Sequence, residues 1–232
     1  FDDCQRLVKQ AFADTALRRR IRLSSANSIN LGRLLPQVCY YAHAALAYRA
    51  WRGTSAGFVV PTGNVGNALA CVWAREMGFP IREVILATNR NDPVTRYFRT
   101  GQWRPRETRA TLASAMDVGN PSNMERLLYT LDRSPRLHEA VSAQAVDDAA
   151  IGEAIGSGDR HHGLVFCPHT ACAVDRVERQ RQGHWVAVAT AHAAKFESIV
   201  EPLIGARIEV PDTLAAMLAH AGPAPALQPS LA

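Results

Sequence analysis

The sequence predicts an α/β protein with a mostly parallel sheet between two layers of helices, three layers in all. The first observation is an apolar run at residues 57–61 that breaks into a turn, a helical pattern over 64–77 and a second apolar run at 83–88. Two strands joined by a helix in this way form a parallel pair with a right-handed crossover. The second observation is that strand and helix patterns alternate again near the C-terminal end, with a clear strand at 185–189.

The first third of the chain is predicted to be mainly helical. Apolar residues recur at helical spacing over 3–12, and 21–23 is predicted as a short strand. A polar loop over 24–30 then leads into a long amphipathic helix over 31–51, in which we expect Pro36 either to kink the helix or to restart it.

The rest of the chain completes the pattern. Residues 89–108 have the composition of a loop with a short helix, and two or three helices follow between 122 and 155. Further along we expect a turn at 156–159 and a short strand at 164–166. Helices are expected at 170–182 and 192–204, and a loose, proline-rich tail at 221–232.

Composition excludes several classes of protein. The hydrophobic content of 47% suits a buried globular core. No apolar run reaches the roughly 18 residues of a membrane span, and the first residues lack the basic and apolar regions of a signal peptide. Five widely spread cysteines fit reduced thiols better than a disulfide framework. We therefore expect a cytoplasmic protein without a membrane partner.

The basic charge of the chain points to small anions rather than to nucleic acid. The net charge is +5, only Lys9 and Lys195 are lysines, and most arginines lie in the first 136 residues. These arginines are scattered, apart from a group at 18–22, and no aromatic stripe runs among them as in nucleic-acid-binding surfaces. We therefore expect an anionic small-molecule ligand and no nucleic acid.

The turn after the first strand, Pro61-Thr62-Gly63-Asn64-Val65-Gly66-Asn67, has the composition of a phosphate cradle. Glycines let a ligand approach the main chain closely. A helix follows the turn, and the free amides and dipole at a helix N-terminus favour anions. Glycine turns are also common as plain connections in α/β proteins, so the turn alone does not name a ligand.

Ligands of open parallel sheets bind beyond the carboxyl ends of the strands. Three polar positions fall at such ends, namely the turn at Gly63, Asn89 and Thr190. We expect these positions to converge on one pocket.

Longer motifs around these positions resemble threonine synthase. The resemblance extends to about residue 205 and rests on several stretches in order: Ser25-Ala26-Asn27-Ser28-Ile29-Asn30, the turn at 61–67, Asn89-Arg90-Asn91-Asp92, Pro121-Ser122-Asn123-Met124-Glu125-Arg126, Pro168-His169-Thr170-Ala171 and Thr190-Ala191-His192-Ala193-Ala194-Lys195-Phe196.

The resemblance implies a fold and a cofactor. Threonine synthases share the tryptophan synthase β-like fold, fold type II of the pyridoxal-phosphate enzymes, and convert O-phospho-L-homoserine and water to L-threonine and phosphate. By this resemblance the backbone at Gly63, Asn64, Val65 and Asn67 holds the phosphate of pyridoxal 5'-phosphate.

Thr190 is, by the same resemblance, the residue that hydrogen-bonds the pyridine nitrogen. A hydroxyl does not hold a proton on that nitrogen as a carboxylate does, so the ring is expected to stay largely neutral. Taken without the resemblance, Thr190 is better interpreted as the N-cap of the helix that follows it.

The resemblance also implies what the chain lacks. The family's Schiff-base lysine lies in a Phe-Lys-Asp-like motif that is not found here, and neither Lys9 nor Lys195 matches it. We therefore assign no catalytic residue and expect the chain alone to be inactive. Residues 1–220 are interpreted as the C-terminal portion of the catalytic domain, incomplete at its N-terminus.

Two other groups of residues remain open. Ser25, Asn27, Ser28, Asn30 and Arg33 either line the pocket or cap the following helix, and Arg33 suits a substrate phosphate or carboxylate. A second group has side chains of the types that bind metals: His161, His162, Cys167, His169 and Cys172. Their spacing matches no common zinc pattern, so we expect no metal there. The alternative functions are a related serine/threonine dehydratase and a non-catalytic phosphate-ligand binding domain.

Overall fold

The computed structural model describes residues 2–220 and 222. Four strands are formed: β1 (Ala56–Pro61), β2 (Ile81–Thr88), β3 (Val141–Ala145) and β4 (Trp185–Ala187). The helices are α1 (Asp2–Ala13), α2 (Thr15–Arg20), α3 (Leu31–Arg52), α4 (Gly66–Glu76), α5 (Pro93–Thr100), α6 (Met124–Arg133), α7 (Pro135–Ala140), α8 (Asp148–His162), α9 (Pro168–Glu178), α10 (Glu197–Ile204) and α11 (Asp212–Ala219), with short 3-10 turns at Ser114–Met116 and Ala193–Phe196.

The four strands form one parallel sheet in the order β3-β2-β1-β4. The chain moves outward from β1 through β2 to β3 and then returns to place β4 on the other side of β1. The direction of winding therefore reverses between β1 and β4. In sheets of this kind the reversal opens a crevice at the carboxyl ends of the two strands, where ligands bind.

Alternating side chains along the strands build one core on each face of the sheet. Phe58 and Val60 of β1 point into the core formed with α3, α4 and α6, whereas Val59 points into the core formed with α8, α9 and α10. Leu86 and Ile85 of β2 divide in the same way. Because successive strand residues face opposite sides, a strand buried on both faces needs a continuous apolar run. The predicted three-layer fold is confirmed.

Two short strands predicted from the sequence do not form. Ile21 is half exposed and residues 21–23 pair with no strand, so the β-branched residue alone does not make a strand. At 164–166, Leu164 and Val165 are exposed and only Phe166 packs into a core. Neither segment has the neighbouring strand whose hydrogen bonds would make its apolar residues part of the sheet.

The predicted turn at 156–159 lies inside α8. Its glycines serve close packing instead: a Cβ on Gly158 would lie 2.7 Å from the Phe166 ring, and one on Gly156 would lie 3.2 Å from the carbonyl oxygen of Leu203. Conversely, β3 was missed because its sequence, Val-Ser-Ala-Gln-Ala, lacks an apolar run. It becomes a strand only through pairing with β2.

The long helix over 31–51 is confirmed as α3, with Pro36 in its second turn. The predicted loose tail at 221–232 lies outside the described residues, apart from Gly222. Among the described residues, no helix is both long and apolar enough to span a membrane.

Shortening a side chain at the centre of the sheet should destabilise the fold much more than the same change at the surface. Leu86 is fully buried, whereas Leu46 on α3 is 52% exposed. We expect Leu86→Ala to cost about 2–5 kcal/mol of unfolding free energy and Leu46→Ala less than about 1 kcal/mol, measured by urea denaturation. Equal effects of the two substitutions would contradict the core described here.

Candidate functional site

The turn at residues 62–67 follows β1 directly and leads into α4, at the carboxyl end of the central strand. Thr62 begins it, with its amide donating to the Ala87 carbonyl oxygen at 2.7 Å and its hydroxyl donating to the Val60 carbonyl oxygen at 2.7 Å. The amide bond extends the β1–β2 ladder by one residue, and the hydroxyl bond ties Thr62 to the end of β1.

The main chain of the turn is strained. Val65 has φ +66°, and it is the one non-glycine residue with positive φ among the described residues. A β-branched side chain is strongly disfavoured in this conformation, which costs about 1–3 kcal/mol and persists only where the surroundings enforce it. Strain of this kind is concentrated at functional sites.

The strain leaves a row of amides without acceptors. α4 has no side-chain cap, and the N–H groups of residues 63–68 donate to no acceptor within the part of the chain that is described. The first bond of the helix runs from the Leu69 amide to the Val65 carbonyl oxygen at 2.8 Å. Free amides at a helix N-terminus, reinforced by the helix dipole, form an anion site.

The Asn64 side chain holds the turn between two other segments. Its Nδ2 donates to the Ser28 hydroxyl at 2.6 Å and to the Ser122 hydroxyl at 3.0 Å, while its Oδ1 accepts the Ser122 amide at 2.7 Å. Asn123 Nδ2 donates to the Asn64 carbonyl oxygen at 3.0 Å. The hydrogen-bonding groups of this amide side chain are therefore used to fix the turn.

Arg126 fixes the segment that carries Ser28. It donates to the carbonyl oxygens of Ser28 at 2.9 Å and Ile29 at 2.6 Å, and it also bonds to the Asn123 side chain. The loop, the turn and the start of α6 thus form one hydrogen-bonded unit.

Gly63 and Gly66 allow the turn to lie against its neighbours. A Cβ on Gly63 would be 2.7 Å from the Met116 Cα, and one on Gly66 would be 2.8 Å from Leu34 Cδ2. Backbone atoms cannot move away as a side-chain tip can. Gly63 is therefore required by the close approach of the 113–117 segment.

A cavity of about 530 Å³ opens at the point where the winding of the sheet reverses. It brings together two of the predicted site residues, Asn67 and Thr190, and Arg33 lines it as well. The other residues that line it come from α3, β1 and the region of β4: Gln37, Tyr40, Tyr41, Ala44, Phe58, Val186, Val188 and Ala189.

Tyr41 was missed by the sequence analysis, although it contacts the site directly. Its hydroxyl donates to Asn67 Oδ1 at 2.6 Å. Burial, with a smaller contribution from Cys71, raises the pKa of Tyr41 well above its ordinary value, so the hydroxyl keeps its proton. The bond holds the side chain of Asn67, which lines the cavity.

Thr190 does not cap a helix. The short turn Ala193–Phe196 is capped by His192, whose Nδ1 accepts the Ala194 amide at 3.2 Å. Thr190 instead donates its amide to the Thr170 hydroxyl at 3.2 Å, and its own hydroxyl lies 3.9 Å from Cys167 Sγ. Its side chain is thereby held beside the cavity by residues at the start of α9.

Of the three strand-end positions expected to converge on one pocket, Thr190 lines this cavity, whereas Gly63 does not and neither does Asn89. It is fully buried and donates to the Thr111 hydroxyl at 2.8 Å, to the Ala113 carbonyl oxygen at 3.2 Å and to Asp117 Oδ1 at 2.7 Å. It therefore acts indirectly, because it anchors the segment whose Met116 packs against Gly63.

Some residues of the polar cluster before α3 bond to the local main chain, and others contact the turn or the cavity. Asn30 caps α3 by accepting the Gly32 amide at 2.9 Å, and Asn27 accepts the Ile29 amide at 2.7 Å. Ser28 contacts the turn through Asn64, and Arg33 lines the cavity.

No cluster of metal-ligating side chains is found within residues 2–220 and 222. Of the suspected group, His162 pairs with Glu178 at 2.7 Å. His169 accepts the Ala115 amide at 3.0 Å on Nε2. Both imidazoles are thus engaged by protein groups.

Comparison with known proteins agrees with a site for a phosphorylated cofactor. The family described as "Pyridoxal-phosphate dependent enzyme" matches residues 1–192 of this chain. The chain belongs to the pyridoxal-phosphate-dependent enzymes. The cofactor named in the family's description carries a phosphate, an anion of the kind that free amides at a helix N-terminus favour.

Similar members of the family are threonine synthases. The protein of Haemophilus influenzae is 38% identical over 216 residues, which are 92% of this chain and 51% of that protein. The protein of Escherichia coli K12 is 38% identical over 217 residues, which are 93% of this chain and 50% of that protein. The chain therefore spans about half the length of the curated relatives that it matches.

Solved structures of threonine synthases superpose closely. The Escherichia coli enzyme matches with a TM-score of 0.87 at 38% identity, over 93% of this chain and 51% of that one. The threonine synthase of Brucella melitensis, solved with pyridoxal phosphate bound, gives a TM-score of 0.82 at 32% identity, over 94% of this chain and 53% of that one.

The residues of the site fit pyridoxal 5'-phosphate. Free amides at 63–68 suit its phosphate, and Asn67 and Thr190 place polar groups in an adjoining cavity that also has the apolar side chains an aromatic ring requires. The geometry of the turn depends on Gly63, which permits no Cβ.

Adding a methyl group to Gly63 should weaken anion binding at the turn, because the new Cβ collides with backbone atoms of Met116. We expect Gly63→Ala to weaken the binding of 4'-deoxypyridoxine 5'-phosphate, an analogue without the aldehyde, by at least about tenfold in calorimetric titration.

Gly152→Ala is the matched control. A Cβ there makes only an ordinary contact of 3.8 Å with Leu203, and alanine favours the helix by about 1 kcal/mol. Unchanged affinity in Gly63→Ala, or equal losses in both variants, would contradict the role assigned to the turn.

Proposed function

We propose that this chain forms the cofactor-phosphate and cofactor-ring binding part of a threonine synthase, which converts O-phospho-L-homoserine and water to L-threonine and phosphate in the cytoplasm. The observation that carries the proposal is the strained turn with free amides at 63–68, which adjoins the cavity of Asn67 and Thr190. The similarity of almost the whole chain to threonine synthases supports the choice of reaction.

A serine/threonine dehydratase is the alternative within the same family. The solved structure of a threonine deaminase gives a TM-score of 0.51 at 19% identity over 64% of this chain, a likeness that shows the fold alone. The threonine synthases match this chain at higher identity and over more of its length than the threonine deaminase does, which favours threonine synthase.

When bound, pyridoxal 5'-phosphate supplies an electron sink for the substrate's α-carbon, which makes loss of the γ-phosphate and addition of water at the β-carbon accessible. In our proposal the amides of Gly63, Asn64, Val65 and Asn67 bind the cofactor phosphate. Thr190 contacts the ring nitrogen. Asn64 itself does not reach the ligand with its side chain, because that side chain is engaged by Ser28 and Ser122.

The chain's lysines lie away from the cavity. Lys9 in α1 and Lys195 in the turn Ala193–Phe196 are exposed, and neither lines the cavity. We propose that the amine that bonds the cofactor's aldehyde comes from outside this sequence, and that the chain alone binds cofactor without catalysing the reaction. In this view residues 1–220 act as one part of the catalytic domain and 221–232 as a tail.

Arg33 is the residue that we assign to the substrate's anionic groups. It lies in the first turn of α3, it lines the cavity, and its guanidinium forms no salt bridge within the described residues. A planar guanidinium binds phosphate or carboxylate oxygens through two parallel hydrogen bonds. Because Arg33 is exposed, a substrate can reach it from solvent after the cofactor is in place.

The direct test uses the protein encoded by the complete gene. We expect it to release phosphate from O-phospho-L-homoserine with formation of L-threonine, measured by a phosphate assay and amino-acid analysis. Ammonia release from L-serine or L-threonine without phosphate release would instead support a dehydratase. Cofactor binding with neither activity would support the non-catalytic alternative.

Removing the Arg33 side chain should weaken substrate binding more than it slows turnover. We expect Arg33→Ala in the complete protein to raise KM for O-phospho-L-homoserine by about 10- to 100-fold, the equivalent of one or two charge-assisted hydrogen bonds. Arg33→Lys should recover only part of this loss, since it keeps the charge and loses the fork.

Arg18→Ala is the control, because Arg18 lies on α2, is exposed and does not line the cavity. A KM unchanged by Arg33→Ala, or raised equally by Arg18→Ala, would remove Arg33 from the site.

A further inference from the structure

The first turn of α9 bonds to two segments that adjoin the proposed cofactor site. The Thr170 hydroxyl accepts the Thr190 amide at 3.2 Å, and Thr190 lines the cavity. His169, the residue before Thr170, accepts the Ala115 amide on Nε2 at 3.0 Å. Two consecutive residues of one helix therefore hold the segment after β4 and the short 3-10 turn Ser114–Met116.

The turn Ser114–Met116 is the wall against which Gly63 packs. A Cβ built on Gly63 would lie 2.7 Å from the Met116 Cα and 3.3 Å from the Ala115 carbonyl oxygen. Main chain lies against main chain here, so no flexible side chain between them can absorb a shift. We therefore expect a displacement of Ala115 to change the path of the main chain at 63–68, where we place the cofactor's phosphate.

The hydrogen bond to His169 acts at the middle of this 3-10 turn. Asn89 holds the residues that flank the turn, since it donates to the Ala113 carbonyl oxygen at 3.2 Å and to Asp117 Oδ1 at 2.7 Å. His169 instead accepts from Ala115, the central residue of the turn. The wall behind the phosphate turn is therefore held at its flanks by one buried side chain and at its centre by another.

The imidazole of His169 is closely packed, and the bond to Ala115 is its single hydrogen bond within the described residues. His169 is 4% exposed, and its ring packs on that of Phe196 with the two centroids 4.8 Å apart. Nε2 accepts an N–H only when it carries no hydrogen, so the ring hydrogen lies on Nδ1. The contribution of the hydrogen bond can therefore be separated from that of packing by changing the atom at the position of Nε2.

We propose that His169 is a positioning residue for the cofactor's phosphate, because its bond to Ala115 keeps the main chain of 63–68 in the arrangement that binds the anion. This inference rests on the proposed function, since it takes the turn at 63–68 as the phosphate site. His169 acts through Ala115 and Gly63 and does not contact the cofactor itself, as it is not among the residues that line the cavity.

The test compares side chains that differ in the position of their acceptor. The amide oxygen of glutamine can occupy the position of the imidazole Nε2, asparagine reaches only as far as Nδ1, and leucine fills space without an acceptor. We expect His169→Gln to bind 4'-deoxypyridoxine 5'-phosphate within about twofold of the wild-type affinity. His169→Asn and His169→Leu should each bind it about 3- to 10-fold more weakly, the equivalent of one hydrogen bond, in calorimetric titration of the complete protein freed of cofactor.

Urea denaturation of the same variants separates binding from stability. His169→Leu removes the unpaired Nδ1 hydrogen and leaves the Ala115 amide without its acceptor, so we expect the denaturation midpoint to stay close to that of the wild type. A residue that acts by packing alone would give another order, in which leucine supports binding of the probe at least as well as glutamine, and that order would overturn the inference. If His169→Leu does not fold, equal affinities of the glutamine and asparagine variants would overturn it in the same way.

His138→Leu is the matched control, since His138 is an exposed histidine on α7 that does not line the cavity, and its affinity for the probe should equal that of the wild type. Equal affinities of wild type and His169→Leu, or equal losses in His138→Leu and His169→Leu, would overturn the inference and leave the proposed function standing. Failure of the wild-type protein to bind the probe would overturn the cofactor site itself, and with it both proposals.

Discussion

The site depends on the hydrogen bonds of one side chain, that of Asn64. By bonding to Ser28 on one side and Ser122 on the other, it fixes a turn in which Val65 has a left-handed conformation that valine strongly disfavours. The amides of 63–68 are thereby left without acceptors at the start of α4 within the described chain. Amides without acceptors at the start of a helix favour an anion, and in our proposal that anion is the cofactor's phosphate.

The sheet places this turn where a second group can act with it. Because the winding reverses between β1 and β4, the segments that follow these two strands border a single cavity. In our proposal the turn after β1 binds the phosphate, and Thr190 after β4 makes a second polar contact from the wall of the cavity. Cys167 and Thr170, at the start of α9, belong to the opposite face of the sheet from α4 and support Thr190 from behind.

The fold was largely predictable because its inner strands, β1 and β2, carry continuous apolar runs on either side of a glycine-rich turn. Edge elements were less predictable: β3 has small and polar residues, and only its pairing with β2 makes it a strand. The glycines of α8 resemble a turn in the sequence, but their role is packing against Phe166 and Leu203, which only the tertiary structure reveals.

The site was predictable in its main-chain part and not in its side-chain part. Glycine spacing after a strand indicated the turn, and the motif around Thr190 indicated the second contact. Tyr41 carries no comparable signal, since it lies far along the chain from Asn67, which it contacts, and looks like an ordinary core residue. For the same reason the expected convergence of Asn89 on the pocket was wrong, because its buried polar network has a supporting role.

The central claim is that the main-chain amides of 63–68 hold the cofactor's phosphate. Amide NMR spectra of the ¹⁵N-labelled chain, recorded during titration with 4'-deoxypyridoxine 5'-phosphate and with 4'-deoxypyridoxine, test it directly. We expect saturable changes at 63–68 and at Thr190 with the phosphorylated compound, and much weaker ones at 63–68 with the other. Saturable changes confined to surface arginines, with the amides of 63–68 unaffected, would contradict it.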